Sequence, residues 1–137
     1  MCLNVVDTTY HPCCTEIRRG FKVFRVNNDG SLNNLYYPSK SSFKVGQTLI
    51  DKHKKYNNLK YPNGFHIYST LKDTKREYEL FMEIIHNERA HRPKHFRIFE
   101  VLYTNIVAEG YQGLNKCDVA QRMTTIQEVK NVKRNHN

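Results

Sequence analysis

The chain predicts an α+β fold: a twisted antiparallel sheet with one main helix packed on it. Three observations lead there. Phe96–Tyr103, FRIFEVLY, alternates as a strand does, with Phe96, Ile98 and Glu100 on one face and Arg97, Phe99, Val101 and Tyr103 on the other. Tyr78, Phe81, Met82 and Ile85 recur at the spacing of a helical face. Strong turn signals, Asn27-Asn28-Asp29-Gly30 and Pro62-Asn63-Gly64, separate the apolar runs. With 137 residues the chain fits a single domain, with a core over about residues 20–129 and a basic tail at 130–137.

The elements follow in order. Residues 1–18 read as an irregular lead-in. Gly20–Val26, GFKVFRV, reads as a strand with Phe21 and Val23 on one face and Lys22, Phe24 and Val26 on the other. Residues 31–42 have little periodicity and read as loop, and Phe43–Ile50 as a weak strand interrupted by Gly46. Asp51–Lys60 reads as a basic connector. Phe65–Ser69 reads as a short strand, with Phe65 and Ile67 opposite His66 and Tyr68. Ser69 or Thr70 caps a helix running from Leu71 to about Arg89. A loop containing Pro93 leads into Phe96–Tyr103. That strand kinks at Thr104-Asn105, continues over Ile106–Ala108 and gives way to a turn region at residues 109–113. Cys117–Gln127 reads as the final strand. The expected order is therefore three strands, a helix and three strands.

Charge narrows the choice of partners. Lys and Arg total 22 against 13 acidic residues, so the net charge of +9 favours phosphate-bearing ligands, either nucleic acid or a small nucleotide. No run approaches the ~20 apolar residues of a membrane-spanning helix, and the first residues lack the basic and apolar regions of a signal peptide. The expected compartment is the cytoplasm, with the four cysteines reduced. His11, Cys13 and Cys14 lack a fourth ligand at any usual zinc spacing, so no metal and no cofactor are expected.

No catalytic motif is present: no GxGxxG, phosphate-binding loop, HExxH or GxSxG. Glu100 with Glu109, and Cys117 with His66 or His95, are the residual combinations through which a nucleotide-processing enzyme could act. The stronger candidates are binding residues. Arg122, within the last strand, calls for an anion or for an acidic neighbour such as Glu100 or Glu128. Asn105 at the kink serves either the turn or a base or ribose edge. Phe96 or Phe99 faces away from the core and could stack on a base. Basic clusters at Arg18, Arg19, Lys22 and Arg25 and at His91–Arg97 are interleaved with aromatics, as in phosphate-and-stacking surfaces. A sheet with aromatics on both faces and one helix to cover them also predicts a homo-oligomer.

The motif order resembles that of the phage Thoeris anti-defence sponge proteins. The matching segments are MCL at Met1–Leu3, GFKVF at Gly20–Phe24, NGFHIY at Asn63–Tyr68, IVAEG at Ile106–Gly110 and AQRM at Ala120–Met123. The resemblance implies a binding protein without turnover. It would sequester a cyclic ADP-ribose type immune signal, or a cyclic oligonucleotide, as a homo-oligomer in the host cytoplasm. It further implies ligand contact by an aromatic, an Asn and an Arg in the C-terminal half, here Phe96, Asn105 and Arg122, with His95 as an alternative to Phe96. Arg25 joins the candidate set from the first basic cluster. A basic nucleic-acid-binding protein is the competing expectation.

Overall fold

The computed structural model describes residues 3–34, 42–52, 61–87 and 95–130. The expected loop at residues 90–94, most of the basic connector and the tail lie outside them. Among the described residues, seven strands and one helix follow in order: β1 (Val5–Cys14), β2 (Arg18–Val26), β3 (Leu32–Asn34), β4 (Thr48–Ile50), β5 (Phe65–Tyr68), α1 (Leu71–Asn87), β6 (Phe96–Gln112) and β7 (Asn115–Glu128). The α+β class is as expected, with every pairing antiparallel. The element order is not: five strands precede the helix and two follow it. β1 lies in the expected lead-in and β3 in the expected loop. The kink at Asn105 does not end β6. Asn105 takes up a left-handed conformation (φ 56°), which Asn tolerates better than most residues, and the strand runs on to Gln112.

β6 and β7 form a long hairpin from Phe99↔Glu128 to Gln112↔Asn115. Its two-residue connection places Gly113 at φ 63°, a conformation suited to glycine in tight hairpin turns. The other edge of β6 takes β2 along Phe96–Tyr103 and β1 beyond Ile106. The other edge of β7 takes β5 and then β4. The bridge Phe21↔Tyr68 joins β2 to β5, so β2, β6, β7 and β5 form a closed circuit. Gly20 permits this closure. A Cβ there would lie 2.7 Å from the Tyr68 carbonyl oxygen and 2.9 Å from the Tyr103 ring.

Closure gives the sheet an inside. Phe24, Leu32, Phe43, Ile67, Phe99, Val101, Tyr103, Ile106, Ala120 and Met123 fill it. Phe24 meets Phe43 and Phe99 edge to face. On the outer face α1 covers Val23, Phe96 and Ile98 with Tyr78 and Met82, and Phe81 packs alongside. Thr70 caps this helix, its Oγ1 accepting from the Asp73 N–H at 3.2 Å. The aromatics on the two sheet faces therefore divide between the interior and the helix. No helix among the described residues is long and apolar enough to cross a membrane.

Candidate functional site

The five residues expected to bind ligand fall in two places. Arg25 and His95 lie with Phe96 at the start of β6, where Arg25 is directly opposite Phe96. Asn105 and Arg122 lie nine residues further along, Arg122 being opposite Thr104. At about 3.3 Å per residue the two groups are roughly 30 Å apart along the strand. They do not form one site.

Phe96 belongs to the core, which corrects the stacking role. It is 4% exposed, sits edge to face with Phe81 at a centroid distance of 5.0 Å, and its carbonyl accepts from the Tyr78 hydroxyl. No ring face is left for a base. Phe99, the alternative, is buried inside the closed sheet.

Arg122 differs in every respect. It is exposed on the outer face, on the stretch that α1 leaves uncovered. Directly opposed residues there form two rows across four strands. Arg19, Leu102, Thr124 and Thr48 make one row. Thr104, Arg122 and Ile50 lie in the next. Leu102, Ile50 and Ile126 are exposed apolar residues. The two glutamates expected to pair with Arg122 do not do so. Glu100 is held by Arg19 at 3.1 Å and Glu128 lies 3.6 Å from Arg97. Among the described residues Arg122 makes no ion pair, and the expected structural partners are engaged elsewhere. It alternates with the inward Met123, and β7 breaks alternation between Met123 and the equally inward Ala120, where the strand exchanges β5 for β4.

A second polar assembly was only partly legible in the sequence. Arg18, at the start of β2, contacts Glu109 of β6, Asp118 of β7 (3.2 Å) and Glu16 (3.0 Å). The Tyr10 hydroxyl donates to Glu109 at 2.9 Å and the Tyr103 hydroxyl to Asp118 at 2.6 Å. Glu109 and Asp118 are directly opposed in the hairpin. Burial opposes ionisation of Glu109, but hydrogen bonds from Arg18 and Tyr10 outweigh it and hold the carboxyl below its usual range. Burial likewise opposes the charge on Arg18, and its bonds to Glu109 and Glu16 more than restore it. Burial, then the bond to Asp118, pushes the Tyr103 phenol well up, so it remains a donor. With Glu109 ionised, the assembly offers charge and acceptors rather than the paired acid and base that glycoside chemistry uses. Arg18 and Glu109 were visible as a basic cluster member and a candidate carboxylate. Asp118 gave no signal, since its partner lies 100 residues away.

The Cys117–His66 combination is also placed. Burial pushes the Cys117 thiol up to about 12 and pulls His66 down to about 3. Lys22 donates to the His66 carbonyl at 2.7 Å, and burial pulls its ammonium down to about 8. A protonated thiol beside a neutral imidazole is not an activated nucleophile. Glu100 and Glu109 lie nine residues apart on β6, each with its own arginine.

No protein-family profile, curated protein or solved structure matches this chain.

Proposed function

We propose that this protein captures a cyclic nucleotide signal of the cyclic ADP-ribose type without turning it over. It would do so as a homo-oligomer in the host cytoplasm, like the phage anti-defence sponges its motifs resemble. One observation supports this reading above the others. Arg122 stands exposed on an uncovered sheet face and makes no ion pair among the described residues, and Glu100 and Glu128, the partners expected from the sequence, are held by Arg19 and Arg97. A planar guanidinium presents two parallel donors to a phosphate, and an exposed one sacrifices no structural partner when it does so. Asn105, one residue beyond the position opposite Arg122, offers an amide that both donates and accepts. Leu102, Ile50 and Ile126 offer apolar area for a base or ribose in place of Phe96. A dimer across this face would cover the same apolar residues.

The test is titration calorimetry with cyclic ADP-ribose isomers, followed by denaturation and chromatography of the released ligand. Capture of one isomer and its recovery unchanged is the expected result. Recovery of a hydrolysed product would overturn the claim of binding without turnover. Binding only to long nucleic acids, with a steep linear loss of log affinity against log salt, would favour the nucleic-acid reading instead.

A further inference from the structure

The helix buries one side and leaves the other bare. Tyr78 and Met82 face the sheet, while Leu80 and Ile84, one turn apart on the opposite side, are 52% and 49% exposed. The turn of the β6–β7 hairpin docks on the first half of α1. Asn115 bonds Arg76 and Glu77 there, and the Lys116 N–H donates to Asp73. Leu114, in that turn, is 82% exposed. Single exposed apolar residues are ordinary. These adjoin one surface, made of the helix and the turn that rests on it.

Charge along the same helix says what covers that surface. Lys72, Arg76, Glu79 and Glu83 are all exposed and recur at i, i+4, i+7 and i+11, so they run down one flank of the bare side. The first pair is basic and the second acidic. A flank that reverses sign halfway is complementary to itself when a second copy lies antiparallel on it. Leu80 stands near the middle of Leu71–Asn87, so a two-fold axis there overlaps almost the whole helix. Each residue then faces the one equally far beyond the axis. Leu80 meets Leu80 of the second copy, and Ile84 reaches the level of the other copy's docked turn. Arg76 comes within one residue of the level of Glu83, on the same flank. Both groups are available. Glu83 makes no ion pair among the described residues, and Arg76 uses only Nη1, on Asn115 at 3.3 Å and beside Asp73 at 3.6 Å.

We infer that α1 is the interface of a two-fold dimer, packed antiparallel on α1 of a second copy, with Leu80 at the axis and Arg76 of each copy paired with Glu83 of the other. The Arg122 face takes no part in this contact, and the inference does not rest on the nucleotide reading.

Sedimentation equilibrium of the full chain tests it. The wild type should dimerise. Leu80→Asp, Glu83→Arg and Arg76→Glu should each weaken the dimer at least ~30-fold, because the symmetry sets like charges together across the contact. Mixing Arg76→Glu with Glu83→Arg should restore dimers, since both pairs across that heterodimer join opposite charges. Should Arg76→Glu not fold, Leu80→Asp and Glu83→Arg decide alone. A wild type that stays monomeric at ~100 µM would overturn the inference, as would a dimer that survives Leu80→Asp. So would a mixture of the two folded charge variants that remains monomeric. A dimer kept in Leu80→Asp and lost in Leu102→Asp would place the contact on the Arg122 face instead.

Discussion

One sheet face of this protein has two unlike ends. At the start of β6, Phe96 and Ile98 lie beneath α1 with Val23 beside them. Further along the same face, beyond the reach of the helix, Arg19, Leu102, Ile50 and Arg122 stand in the open. Both ends carry residues that sequence patterning nominates for binding. The helix separates them: an aromatic under it is a packing residue, and an arginine beyond it is available to a partner. Coverage, not residue type, decides the role.

The contrast yields graded expectations. Phe96→Ala should be the most damaging, costing ~3–5 kcal/mol as other buried aromatic truncations do. A denaturant midpoint near that of the wild type would show that the covered end is not core. Arg18→Ala comes next, because it leaves Asp118 buried beside Glu109 without its guanidinium. Loss of one partner from a buried pair costs about 3 kcal/mol at the lower end of the usual range, which is the apt figure for an Arg that is partly exposed. Arg18→Met losing less than ~1 kcal/mol in the same assay would remove the claim that this arginine is structural.

A pH dependence tests the interior independently. The folded protein holds His66 neutral down to about 3, whereas the unfolded chain takes up that proton near its ordinary 6.5. Stability from this group is therefore full above 6.5 and is lost as pH falls toward 3, by up to about 2 kcal/mol at pH 5. Urea midpoints at pH 7 and pH 5 should differ in the wild type and converge in His66→Gln. Cys117 acts at the other extreme. Its folded value of about 12 stands above the ordinary 9.0, so its contribution is lost as pH rises through that interval.

These interior groups also show what the sequence could reveal. β2, β5, α1 and the first half of β6 were legible because they are rich in apolar residues that pack into a core, β2 and β6 on both faces and α1 along one. β1 was not. As an edge strand paired to β6 alone among the described elements, it is mostly exposed and tolerates Pro12, so its pattern carries no period. β3 is three residues long. Arg122 was legible as a candidate but its face was not, since β7 breaks alternation where it changes neighbours. Closure of the sheet depends on the bridge from Phe21 to Tyr68, and the meeting of Arg18 with Asp118 spans 100 residues, so neither leaves a local pattern.

Smaller effects belong to the open end. Asn105→Ala should cost ~1 kcal/mol, from forcing a Cβ-bearing residue without a local polar group into φ 56°, while Asn105→Gly should be nearly neutral. Equal melting of the two variants would place the value of Asn105 in its side chain rather than its backbone.

Arg122→Ala offers the most direct test of the account, with melting temperature and ligand capture measured on the same preparation. An exposed arginine that makes no ion pair among the described residues should change stability by less than ~0.5 kcal/mol. Its loss should weaken capture of a cyclic ADP-ribose type ligand by roughly 30- to 1,000-fold, as expected for ~2–4 kcal/mol of charge-assisted phosphate contact. A variant that melts much earlier while its folded fraction binds normally would contradict the central claim and make Arg122 a structural residue.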